Sequence, residues 1–252
     1  ARVGDVRSNV RTVREAWEAA AAAGAGLVVL PELALIGYPP DDLLIRPDLI
    51  ARADSGLVRL AADGPRGCTA VVGTVGRSER RADDTWGVAS AVADLANRAV
   101  VLRDGTSVGT YDKMRLPNEG VFDEARYFVP GDEPLVVPVE DVRVGVVICQ
   151  DLWTADGPVA ASVAAGAEVV VVLNASPYHR GKRAEREEWV ARHARERSVW
   201  VCYVNRVGGQ DEVVFDGDSV VADRSGTIVA RGAQFAADLV LVDLDLDVDG
   251  AL

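Results

Sequence analysis

The sequence predicts an α/β fold in which antiparallel strand pairs are mixed among strand–helix alternations. Three observations carry that reading. Short β-branched runs such as "LVVLPE", "VRVGVVIC" and "EVVVVLNAS" are separated by segments of helical period such as "PDLIARADSGLVRLAAD" and "KRAEREEWVARHARERS". The last quarter, "DSVVADRSGTIVARG", alternates around a Ser225-Gly226 turn, as a hairpin does. No internal repeat, low-complexity tract or linker interrupts the 252 residues, so one domain over 1–252 is the simplest organisation.

Taken in order, the first element is a helix. Val10, Val13, Trp17 and Ala20 recur at helical spacing after Ser8 and Asn9, two capping residue types, until Gly24 and Gly26 break it. A strand follows in "LVVLPE", then a helix in "PDLIARADSGLVRLAAD" and a strand in "CTAVVGTVG". "WGVASAVADL" and "AVVLRDGTSVGTYDK" read as paired strands joined by a turn around Asn97, with a second turn at Asp104-Gly105. Beyond them come the strand "VRVGVVIC", a small-residue helix "GPVAASVAAGA", the strand "EVVVVLNAS", a charged helix from Lys182 and the strand "VWVCYVN". The terminal hairpin is followed by a last ribbon, "DLVLVDLDLD".

Composition narrows the function. Hydrophobic residues make up 49% of the chain, enough for a packed core without staples, while a formal charge of -12 repels nucleic acid and anionic membranes at long range. No apolar run approaches the roughly 20 residues of a membrane helix, and no signal peptide precedes the first helix. Cys68, Cys149 and Cys202 are too few and too widely spaced for a disulfide scaffold, which favours a reducing, cytoplasmic setting. The chain opens Ala1-Arg2-Val3 without a methionine, so residues are expected ahead of it.

Side chains emerge into crevices at strand ends in α/β sheets. Three reactive types stand there: Glu32 after "LVVLP", Lys113 after "GTYD" and Cys149 after "VRVGVVI". Singly they read equally well as a capping glutamate, a surface lysine and a structural cysteine. Together they form an acyl-transfer unit: a cation favours the thiolate, a carboxylate takes its proton, and the lysine with a backbone N–H holds the oxyanion. The competing Cys–His arrangement has only His179, at a strand end, and His193, inside the charged helix and expected on its solvated face. Nucleotide-binding glycine loops, HExxH and zinc spacings do not occur, and the aspartates of "VDLDLDVDG" read as a solvated edge, so neither metal nor cofactor is expected.

At these residues the sequence resembles the carbon–nitrogen hydrolase (nitrilase) superfamily, and within it the glutamine amidotransferase domain of glutamine-dependent NAD synthetases. The motifs are "LPELALIGYPPDDLL" around Glu32, "YDKMRLPNEGVFDEARYFVPG" around Lys113, "CQDLW" at Cys149, "NASPYHRGK" and "YVNRVGGQDEVVFDGDS". The resemblance implies a four-layer α-β-β-α sandwich, a Glu32-Lys113-Cys149 triad with Glu124 as a second acid near the lysine, and a homo-oligomer, dimer or higher. It places Tyr111, Trp153, Ser176 and Tyr178 along the pocket.

The sequence departs from that pattern in three ways. No synthetase segment follows before Leu252, so this chain by itself is not expected to make NAD. Gln150 stands where the family carries a glutamate beside the nucleophile, and Glu119 where it carries a tyrosine, which bears on substrate binding at both positions. The strand that the family places before "VGDVRSN" is absent from this sequence.

The expected activity is therefore a cysteine amidase. It would hydrolyse a small-molecule carboxamide, glutamine or a γ-glutamyl-like amide, through a thioester. The alternatives are a glutaminase subunit supplying ammonia to a separate synthetase partner, and a non-catalytic binding module of the same fold.

Overall fold

The computed structural model describes residues 1–79 and 94–246. Helix α1 (Val6–Ala22) leads into strand β1 (Leu27–Val29), helix α2 (Pro47–Asp63) and strands β2 (Thr69–Arg77), β3 (Leu95–Arg103) and β4 (Thr106–Asp112). These strands form one sheet in the order β1-β2-β3-β4, parallel only between β1 and β2. Strands β5 (Leu135–Val139) and β6 (Val142–Ile148), helix α3 (Pro158–Ala164), strand β7 (Val169–Asn174), helix α4 (Lys182–Arg197) and strand β8 (Trp200–Asn205) follow. A small ribbon, β9 (Val207–Gln210) with β10 (Val213–Asp216), precedes β11 (Val220–Ala222) and β12 (Ile228–Arg231). The second sheet has the order β12-β11-β8-β7-β6-β5, with β6, β7 and β8 parallel.

The side-chain period of two in a strand decides the layering. On β2 and β3, Ala70, Val72, Val100 and Leu102 pack with Val13, Trp17, Leu49 and Leu60 of the helices, whereas Val71, Ala99 and Val101 pack with Val144, Val146 and Val171 of the second sheet. Helices α3 and α4 cover that sheet's other face. The four layers are thus α-β-β-α, and β7 is buried along its whole length because it lies between two layers. Among the described residues no helix is long and apolar enough to cross a membrane.

Several expectations need correction. Asp5, not Ser8 or Asn9, caps α1, accepting from Ser8 N at 3.2 Å. Asn9 is instead buried and donates through Nδ2 to Leu35 O at 3.1 Å, fastening α1 to the segment after β1. Asn97 makes no turn: β3 runs through it, while the Asp104-Gly105 turn is present. The part of "WGVASAVADL" at 86–93 lies outside the described residues. No strand forms over the described part of the final ribbon, 238–246, and β5, β9 and β10 had no counterpart in the sequence reading.

His193 is also corrected. It is fully buried rather than solvated, because the inward stripe of α4 is Arg186, Val190, His193 and Ala194, and the two polar members keep hydropathy from marking it.

Candidate functional site

The residues of interest sit where two sheets end side by side. Glu32 leaves β1 by a tight path over Gly73 of β2, where a Cβ would lie 2.3 Å from Pro31 O and 2.6 Å from Leu33 N. Only glycine allows that approach. Lys113 follows β4, its amide held by Asn97 O at 2.9 Å, and Glu124 opens a single 3₁₀ turn, Glu124–Arg126. Cys149 directly follows β6 and begins another such turn, Cys149–Leu152, with a left-handed φ of 43°. A non-glycine residue in that region carries strain, and such residues concentrate at working sites.

The fold brings the four together from four separate stretches of sequence. Lys113 Nζ lies 2.7 Å from Glu32 Oε1 and 2.8 Å from Glu124 Oε1, all three side chains being buried. Glu32 Oε2 accepts from the Ala175 N–H at 2.8 Å, at the end of β7. Tyr38 donates to Glu124 Oε1 at 2.7 Å. Burial alone would disfavour a charged lysine, yet Glu124 and Glu32 hold the Lys113 ammonium well above its ordinary range. For Glu124 burial dominates and raises its pKa, with Lys113 pulling it back and Glu32 pushing it further up.

Cys149 lies within electrostatic reach of the same groups. Burial pushes its thiol pKa far up, Glu32 and Glu124 add to the rise, and Lys113 and the Ala175 amide work against it. Two carboxylates against one ammonium leave no surplus positive charge for a resting thiolate. That environment favours the thiol over a resting thiolate, so a base that takes the proton is needed for attack.

The other cysteines have no such surroundings. Burial raises Cys68 and Cys202, and neither is influenced by a nearby charge. Neither histidine serves a cysteine: His193 bonds Leu152 O through Nε2 at 2.7 Å, and exposed His179 is 3.0 Å from Arg180 O.

The residues expected along the pocket divide. Ser176 is buried beside Ala175, its amide held by Asn205 Oδ1 at 2.9 Å and its carbonyl by Arg186 Nη2 at 3.0 Å. Gln150 is half-buried next to the nucleophile. Trp153 is half-buried with the Lys182 ammonium 3.7 Å from its ring centroid. Tyr178 is 43% exposed, packing edge-on against Phe235 at 5.2 Å, and Glu119 is exposed on the 117–122 loop. Tyr111 is buried, and its hydroxyl is given to Asp151 at 2.8 Å.

Sequence reading missed Asn97, Tyr38, Asp151 and Arg186. Asn97 Nδ2 donates to Glu32 Oε1 at 2.7 Å, because positions 97, 99 and 101 of β3 share the face turned to the second sheet. The available signal was an asparagine inside the apolar run "LANRAVVL". For Asp151 it was a carboxylate directly inside the "ICQDLW" turn. Arg186 gave none, standing in a helix full of charge.

Comparison with known proteins gives the family. The carbon-nitrogen hydrolase family model matches residues 2–251. The chain is 48% identical over 221 residues to the glutamine-dependent NAD(+) synthetase of Xanthomonas campestris pv. campestris, covering 87% of this chain and 37% of that protein. Against the Thermotoga maritima synthetase it is 40% identical over 247 residues, 97% of this chain and 40% of the other. A solved Acinetobacter baumannii glutamine-dependent NAD+ synthetase superposes with a TM-score of 0.85 at 35% identity, over 94% of this chain and 42% of that one. An amidase of the nitrilase superfamily from Nesterenkonia AN1 shares the fold, with a TM-score of 0.78 at 24% identity over 92% of this chain and 83% of its own. The chain spans about two fifths of the length of the synthetases it matches. Matched along almost its whole length, the chain belongs to the carbon-nitrogen hydrolase family.

Proposed function

We propose that this chain hydrolyses the carboxamide of glutamine, or of a glutamine-like amide, and serves as the ammonia-releasing unit of a glutamine-dependent synthetase, within one polypeptide or with a separate partner. The observation that carries the reading is the buried Glu32–Lys113–Glu124 contact, at 2.7 and 2.8 Å, beside a cysteine at a strand end. The synthetase relatives, of which this chain matches about two fifths, support the ammonia-releasing role.

In the proposed reaction the Cys149 proton passes to Glu32 as sulfur attacks the amide carbon. Lys113, held between the two carboxylates, faces the developing oxyanion together with a backbone N–H. Collapse breaks the C–N bond, ammonia leaves with the proton from Glu32, and a thioester stays on Cys149. Water, deprotonated by Glu32, attacks the thioester, the C–S bond breaks to release the carboxylic acid, and Glu32 returns its proton to the Cys149 sulfur. Glu124 keeps the lysine charged and aimed, and no cofactor enters the cycle. The working form is a homo-oligomer, to be measured by sedimentation.

The test is ammonia release from glutamine with trapping of the acyl group by hydroxylamine. Wild type should give both ammonia and hydroxamate, and Cys149→Ala neither. Full activity in that variant would refute the mechanism.

A second reading concerns the substrate. Gln150 supplies a neutral amide beside the nucleophile where an acid would favour a free α-ammonium, which points to an amide whose amine is blocked.

A further inference from the structure

We propose that Asp151 and Tyr111 are a positioning pair that sets the nucleophile against the lysine, an inference that rests on the cysteine amidase reading. Asp151 has no solvent exposure, and its carboxylate bonds Ile148, next to Cys149, and Tyr111 and Arg115, which flank Lys113. Its Oδ2 accepts from Ile148 N at 3.0 Å, the residue directly before the nucleophile. The same oxygen accepts the Tyr111 hydroxyl at 2.8 Å, and Oδ1 accepts Arg115 N at 2.8 Å. Tyr111 and Arg115 stand two residues to either side of Lys113. One carboxylate therefore fastens the end of β6 in the second sheet to the end of β4 in the first.

These bonds tie the offset of the two strand ends to a single carboxylate, and the offset is what chemistry requires. The reacting sulfur and the oxyanion-binding ammonium come from different sheets, and a misplacement of 1 Å costs about 10²-fold in rate. The pair also explains Tyr111. Its ring is buried and its hydroxyl donates to Asp151 and is met by the Met114 backbone, so it contributes orientation instead of substrate contact. Burial pushes Asp151 up to about 6, and the donors from Ile148, Tyr111 and Arg115, with the Lys113 charge, work to keep it ionised.

Two variants and two readouts test this. Tyr111→Phe keeps the ring and removes one donor, while Asp151→Asn keeps the size but turns an N–H toward another N–H. Amide hydrolysis and alkylation of Cys149 by iodoacetamide are followed together, with circular dichroism and thermal unfolding to confirm the fold. Tyr111→Phe should lower kcat about tenfold with KM within about twofold, and slow alkylation in parallel. Asp151→Asn should lower both rates about 100-fold, and the double variant should be no slower than Asp151→Asn alone, because the two act as one unit.

A raised KM with unchanged kcat in Tyr111→Phe would make Tyr111 a pocket residue and overturn the proposal. Loss of stability with kcat and alkylation unchanged would reduce the pair to packing, and overturn it equally. Alkylation needs no amide substrate. The pair can thus fail while amide hydrolysis stands, and a wild type inactive on glutamine would leave the alkylation result to decide the pair by itself.

Discussion

Asn97 Nδ2 donates to Glu32 Oε1 at 2.7 Å, and that bond distinguishes the two oxygens of the carboxylate. Oε1 also receives the Lys113 ammonium, while among the described residues Oε2 receives the Ala175 N–H alone. The oxygen with spare capacity is Oε2, and it is the one that should take the cysteine proton.

Asn97→Ala should therefore lower kcat about tenfold or more by freeing Glu32 to rotate. Asn97→Asp should be worse, since it adds a third carboxylate to a buried group of two and drives one of them to hold a proton. Steady-state kinetics on both variants, with unfolding monitored, checks the order. Equal activity of Asn97→Asp and wild type would show that the bond is dispensable.

Cys149→Ala and Lys113→Met should separate chemistry from stability. The alanine removes one buried sulfur and leaves every ion pair in place, so it should abolish turnover with little change in Tm. The methionine leaves Glu32 and Glu124 facing each other without a cation, which costs about 3–5 kcal/mol for a broken buried pair. Urea unfolding of the two variants side by side measures the contrast.

Gln150→Glu should improve kcat/KM for free glutamine and leave N-acyl glutamine unchanged. A hydrogen bond to a charged group contributes about 1.5–3 kcal/mol, against about 0.5–1.5 for a neutral one, so the gain should be about tenfold. Parallel improvement for both substrates would remove Gln150 from amine recognition.

His193 should make stability fall as the medium turns acid. Burial lowers its pKa, the Leu152 carbonyl and Glu196 oppose that, and Arg197 and Arg192 add to the lowering. A histidine whose folded pKa is depressed is protonated more readily in the unfolded chain, so its stabilisation is complete above the unfolded pKa of about 6.5 and is lost as pH falls toward the folded value. His193→Gln removes this titration. The difference between the wild-type and variant stability curves should shrink or reverse between pH 7 and pH 5, and a constant difference would show that His193 stays neutral throughout.

The sequence by itself determined most of the elements, β5, β9 and β10 excepted, and the candidate residue types. Continuous apolar runs such as Val169–Leu173 can only be satisfied between two layers, and α2 runs from Pro47 to Asp63 as its period and its proline indicate. Glu32, Lys113 and Cys149 stood out as candidates because each interrupts an apolar run at its end, where a strand must emerge. What only the tertiary structure decided were the partnerships of polar residues buried by a layer that the local sequence does not contain. Asn97 looks like a turn residue until the second sheet closes over β3 and Glu32 meets its amide. Asp151 and Tyr111 are 40 residues apart and become one unit only when the two sheets stack. Arg186 and His193 read as solvated charge on a helix until α4 lies on its sheet, because burial of a polar group depends on a distant partner and leaves no local period of hydropathy.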